Sequence, residues 1–158
     1  MRLIVFLSLC CLFSCIKEKS GGSVTFLKNL TGHNITILPY SGNKSNSKNQ
    51  INILPYEKKE VQNVKGKGKS LGSSFASSLQ LYDSILVQFN DEFKTTHLDF
   101  KYMSDSVIDK LEFTNSRNIT NESNYKILIK KNTKDYIFAE VLYEFTNQDY
   151  EFAKSLKK

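Results

Sequence analysis

From Val24 onward apolar and polar side chains alternate with a period of two, the pattern of strands that bury one face. Val24 and Phe26, with Lys28 following in step, share one face of a first strand. Ile35 and Ile37 alternate with Asn34 and Thr36 in a second, and Thr31 to Asn34 supplies the turn of a hairpin between the two. Ile37-Leu38-Pro39-Tyr40 recurs as Ile53-Leu54-Pro55-Tyr56; each proline lacks a ladder donor and closes a strand, with the polar stretch 41–49 as the loop between. Val61 and Val64 fit a short strand, 65–70 is a glycine-spaced basic loop, and 71–78 is loop or one helical turn. Residues 83–89 and 93–102 form the clearest hairpin, with Asn90-Asp91-Glu92 at its tip. In its second strand Leu98, Phe100 and Tyr102 share one face, and His97 and Asp99 the polar one. Residues 114–124 read as loop, because their Asn, Ser and Thr side chains compete for backbone hydrogen bonds. Tyr125, Ile127 and Ile129 then alternate with Lys126 and Lys130, and 136–145 is apolar on both faces, as suits a strand with neighbours on both sides. Asn147 is placed to cap a final helix, with Asp149 and Glu151 in its first turn and Lys154, Lys157 and Lys158 in its last, matching the helix macrodipole. The pattern predicts an all-β domain over 24–158, an antiparallel β-sandwich, immunoglobulin-like or similar, with a short C-terminal helix.

The first residues follow another rule. Arg2 precedes an apolar stretch over 3–13, interrupted only by Ser8, which is too short to cross about 30 Å of hydrocarbon as a helix and has the form of a signal-peptide core. Leu12-Phe13-Ser14-Cys15 resembles the bacterial lipobox. That resemblance implies a signal peptide over 1–14, lipidation of Cys15, and a polar, Gly/Ser-rich flexible tether over 15–23. Ile16 in place of Asp implies sorting to the outer membrane. Lys17-Glu18-Lys19 partly resembles the signal that carries Bacteroidetes lipoproteins to the cell surface, so a periplasm-facing and a surface-exposed location both stay open.

All three cysteines lie within the first fifteen residues and there are only two histidines, which removes thiolate zinc, iron–sulfur and catalytic-thiol chemistry from the domain. It also removes disulfides from the domain, so stability must come from the core alone. His33, His97 and Asp99 could serve a metal or acid/base site, yet the histidines fall far apart and no further ligand stands at a useful spacing. Gly68-Lys69-Ser70 looks like the end of a phosphate-binding loop, but Asn63 stands where the first glycine belongs and no parallel βαβ pattern surrounds it. No Gly-x-Ser-x-Gly elbow occurs, and Asp91-Glu92 is a solvated turn pair. No catalytic residue, metal, cofactor or nucleotide is expected.

The chain has a net charge of +6, and Lys58, Lys59, Lys65, Lys67 and Lys69 form a basic group within it. Lys65, Lys67 and Lys69 are candidates for contact with an anionic surface, while Glu57, Glu60 and the lack of arginine argue against nucleic acid. Asp83-Ser84-Ile85 and Asp105-Ser106-Val107 resemble the O-glycosylation acceptor of exported Bacteroidetes proteins, making Ser84 and Ser106 candidate modification sites.

Residues 26–35, Asp83-Ser84-Ile85-Leu86-Val87, 117–121 with Tyr125, and 145–150 with Ala153 together resemble a group of small Bacteroidetes lipoproteins of unknown function. The resemblance implies a signal, a lipidated cysteine and a β-rich domain, and it carries over no catalytic residue. The expected function is that of a non-enzymatic, outer-membrane-anchored lipoprotein binding a protein or glycan partner in the envelope; the alternatives are an envelope enzyme, an enzyme inhibitor, or a passive structural protein.

Overall fold

Alternating apolar side chains can satisfy themselves only by facing another apolar layer, and the chain does this with two sheets. A computed structural model describes residues 20–42, 44–67, 70–98 and 117–156. In chain order the elements are β1 (Ser20–Asn29), β2 (Ile35–Ser41), β3 (Lys44–Ser45), β4 (Ile51–Ile53), β5 (Lys58–Lys67), α1 (Phe75–Leu79), β6 (Ser84–Phe89), β7 (Phe93–Leu98), β8 (Lys126–Asn132), β9 (Tyr136–Phe145) and α2 (Asn147–Ser155). One sheet has the order β5-β1-β9-β8; the other runs β3-β2-β6-β7, with β4 also paired to β2. The fold is all-β and sandwich-like, with short helices.

The layers meet in a core containing Leu27, Ile35, Ile37, Ile85, Val87, Phe89, Ile119, Tyr143 and Phe145, each at most 1% exposed. Complete burial of an aliphatic or phenylalanine side chain contributes about 1.5–3 kcal/mol. Ile35 and Ile37 face inward as their alternation predicts, and β9 takes the expected central place between β1 and β8, with Tyr143 and Phe145 buried while Glu140 and Glu144 break its other face.

Several expectations are corrected. β1 begins at Ser20, so 20–23 are strand and not tether; Gly21, Gly22 and Ser23 are buried there. A Cβ on Gly22 would stand 2.6 Å from the Val64 carbonyl oxygen, so glycine lets β5 approach. The inward face of β1 carries Thr25, Leu27 and Asn29, so the face that Val24, Phe26 and Lys28 share is the outer one. Apolar residues at both 26 and 27 left the face undecided, and a one-residue shift exchanges every side chain. Leu27 stands opposite Tyr143, while Phe26 lies under the Lys58 ammonium at 4.1 Å.

β1 and β2 do not form a hairpin. They lie in different sheets, and 31–34 is the corner between them. Asn29 holds that corner: its amide donates to the carbonyls of His33 and Leu54 at 2.7 and 2.9 Å, and its oxygen accepts from the backbone and hydroxyl of Thr31. β1 and β9 run parallel, the one exception to an antiparallel sandwich among the described ladders. Pro39 lies inside β2, which continues to Ser41, and β5 extends to Lys67 where a basic loop was expected.

The β6–β7 hairpin forms with Phe89 opposite Phe93, and Asn90 and Asp91 take positive φ, which these side chains tolerate. His97 does not lie on a polar face, however: it pairs with Ile85 and is 3% exposed, while the expected continuation of the strand over 99–102 lies outside the described residues. The cap of α2 is Thr146, one residue before the expected Asn147. The Asp149 carboxylate accepts from the Thr146 backbone N–H at 2.7 Å and hydroxyl at 3.0 Å, and from Arg117 Nε at 2.8 Å. Tyr150 on α2 stacks on His33 at 3.8 Å and meets Phe89 and Phe93 edge-on, closing one end of the core.

Candidate functional site

The two histidines are spent on packing. His97 Nδ1 accepts the Ile119 backbone N–H at 2.9 Å, which leaves the proton on Nε2, an atom without a hydrogen-bond partner among the described residues. Burial pushes the imidazole down to about 4, against a partial upward pull from Asp149, so it is neutral at pH 7. His33 lies elsewhere, with Nδ1 2.8 Å from the Asn90 amide nitrogen. Among the described residues no three metal-ligating side chains converge. Lys65 is exposed on β5, Lys67 ends that strand, and Ser84 opens β6 opposite Tyr40 and Leu98. Cys15, Lys69, Asp99 and Ser106 lie outside the described residues.

The segment 117–125 builds the site that the sequence did not announce. Ile119 is fully buried, and the Asn118 oxygen turns the chain by accepting the Thr120 backbone N–H and hydroxyl, both at 2.9 Å. The Tyr125 hydroxyl donates to the Ile119 carbonyl at 2.7 Å and that of Tyr143 to the Arg117 carbonyl; burial pushes both phenols up, so both remain protonated donors. With its ends fixed, the segment forms a short 3₁₀ turn over Glu122–Asn124, capped by Asn121.

This places Glu122 at a groove of about 290 Å³ on the inner side of the four-stranded sheet. Ser23, Tyr125, Ile127 and Val141 line one side, and Leu71 to Ser74 with Ser77 the other. Glu122 Oε1 accepts the hydroxyls of Ser74 and Ser77, the latter at 2.6 Å, and these bonds hold its carboxyl below the usual carboxylate range. Ser74 also caps α1, accepting the Ser77 backbone N–H at 3.0 Å. The serine hydroxyls therefore position a carboxylate; among the described residues no histidine or lysine lines the groove to make either a nucleophile.

Ile127 joins this groove to the open edge of the same sheet. All seven residues of β8 are exposed, and its only strand partner among the described residues is β9. Ile127, Leu128 and Ile129 are 57, 42 and 50% exposed, three consecutive large aliphatic residues on the strand that ends this sheet among the described residues. On the outer face Glu140 pairs with Lys58 at 2.5 Å and Lys130 at 3.6 Å, and Glu144 pairs with Lys28 at 3.7 Å and with Lys126. Four ammonium groups thus share two carboxylates beside β8. The sequence signal for this edge was Leu128, which breaks the alternation of Ile127 and Ile129 with lysines. Glu122 gave none, since its role depends on serines more than forty residues away.

Comparison with protein-family models, curated protein sequences and solved structures returns no match.

Proposed function

We propose that the chain is a non-enzymatic lipoprotein of the bacterial outer membrane, anchored through Cys15, whose sandwich captures a protein partner by adding a strand to β8. The observation that carries the binding half of this reading is the exposed row Ile127-Leu128-Ile129 on a strand whose second edge has no ladder partner among the described residues. An edge strand offers a row of unpaired N–H and C=O groups, and soluble proteins usually blunt such edges with charge, proline or cover. The opposite edge, β5, carries charge at Lys58, Lys59, Glu60 and Lys65, whereas the lysines of β8, Lys126, Lys130 and Lys131, flank an unbroken aliphatic run. An added strand would satisfy the β8 backbone groups and cover its aliphatic side chains.

The charge beside β8 selects the partner's chemistry. A second copy would set Lys126, Lys130 and Lys131 against the same lysines, which is unfavourable across a ladder. An extended segment alternating aliphatic and acidic residues would instead place aliphatics beside Ile127 and Ile129 and acids toward the excess of lysine on the outer face.

Hydrogen exchange tests this with an eight-residue peptide alternating valine and glutamate, compared with its valine–lysine counterpart. The β8 amides that point away from β9 exchange quickly in the isolated chain and become protected by the glutamate peptide alone. Protection already present without peptide would mean that the chain covers its own edge, and equal protection by both peptides would remove the electrostatic selection; either result overturns the reading.

A further inference from the structure

We infer that the groove at Glu122 is a binding site for a primary ammonium group carried on an aliphatic stem. The inference stands on the groove's own geometry, independently of whether β8 accepts a strand. A carboxylate has about four acceptor positions on its two oxygens. In Glu122 two hydroxyl donors, Ser74 and Ser77, both fall on Oε1, which fixes the group at the groove and leaves Oε2 for a ligand. The described residues place no lysine or arginine in an ion pair with it, although the chain carries an excess of basic residues. The groove behind it is walled largely by the apolar surfaces of Leu71, Ile127, Val141 and Tyr125. A positioned negative charge at an apolar slot complements a positive head on an apolar tail.

The same geometry discriminates among cations. A guanidinium binds best with two parallel N–H donors, one to each carboxylate oxygen. With Oε1 already carrying two hydroxyl bonds, that fork is obstructed, whereas an ammonium needs only Oε2. A volume of about 290 Å³ also exceeds what a bare ammonium ion would fill, so the stem contributes by covering Ile127 and Val141. The ammonium could belong to a free alkylamine or to a lysine side chain on a polypeptide; both present the same chemistry to Glu122.

The test titrates the full chain with n-pentylamine, n-pentanol and n-pentylguanidine, following the Ile127 and Val141 methyl resonances. Pentylammonium should saturate those shifts, with pentanol and pentylguanidine each at least about fivefold weaker. Glu122→Gln keeps an oxygen acceptor for Ser74 and Ser77 but loses the charge, and should weaken pentylammonium binding about tenfold. Ile127→Lys, at a half-exposed position that tolerates charge, should abolish binding by supplying an internal ammonium at the groove. An extended peptide with one central lysine distinguishes the sources: shifts at both the groove and β8 identify a polypeptide lysine, whereas tighter binding of the free amine identifies a small molecule. Equal binding of amine and pentanol, or unchanged affinity in Glu122→Gln, would overturn the inference.

Discussion

His97 shows how a single side chain ties stability to pH. Its ring is buried at 3% exposure, its Nδ1 holds the Ile119 amide, and burial depresses its pKa from 6.5 to about 4. In the unfolded chain the imidazole takes up a proton near 6.5, while the folded chain resists protonation until near 4. Between those values the unfolded state binds more protons, so stability is complete above pH 6.5 and falls as the pH drops toward 4. The slope approaches 1.4 kcal/mol per pH unit, and the whole window accounts for up to about 3 kcal/mol. Urea unfolding at pH 7 and pH 5 should show the loss, and His97→Gln, which keeps an acceptor for Ile119 but does not titrate there, should remove most of it. An unchanged pH difference in that variant would refute the assignment. The sequence placed His97 on a polar face because Asp99 follows at the same spacing, whereas the ladder turns it inward opposite Ile85. A neutral histidine packs as a half-apolar ring, which composition alone cannot distinguish from a charged one.

At the scale of elements, α2 depends less on its own sequence than on where its cap is held. Nine residues are too few for a stable isolated helix, so its stability comes from docking and capping. Asp149, only 3% exposed, ties the helix start to the 117–125 segment: it accepts from Thr146 and pairs with Arg117. Asp149→Asn retains an oxygen for one of these contacts but removes the charge that pairs with the partly exposed Arg117, and should cost about 1–3 kcal/mol, combining a weakened cap with a broken, half-buried pair. Chemical denaturation measures that cost; a loss below about 0.5 kcal/mol would show that Tyr150 and Ala153 dock the helix unaided. Helix, hairpin and central strand were all legible, because each announces itself through local periodicity or turn chemistry. The parallel partnership of β1 with β9 was not, since the register that joins Ser20 to Tyr136 spans most of the chain and no local pattern encodes it. The groove was hidden for the same reason: Ser74, Ser77 and Glu122 look like ordinary loop residues until the sheets bring their segments together.

For the whole molecule, the early start of β1 gives the proposed anchor a geometric consequence. If Cys15 is lipidated, only residues 16–19 separate it from the strand, and at about 3.3–3.6 Å per residue the domain cannot rise far above the headgroups. The end of the sheet that carries Ser20 must then face the membrane. Register places Lys67 and Tyr136 opposite Ser20, with Lys65 opposite Gly22, so basic and aromatic residues gather at that end. β5 has already ordered the backbone at 65 and 67, removing an ordering cost of about 1–2 kcal/mol per residue that a loose loop would pay. Each lysine near an anionic bilayer returns about 1 kcal/mol. Cys15→Ser should therefore abolish acyl labelling yet leave a chain that binds anionic vesicles weakly at low salt. That residual binding should vanish in about 0.5 M salt, where the Debye length is about 4 Å, and in the variant combining Lys65→Glu, Lys67→Glu and Lys69→Glu. Acyl labelling that persists in Cys15→Ser would sink the anchor, and equal binding to neutral vesicles would sink the orientation, because a membrane contact made through basic residues must prefer the anionic surface.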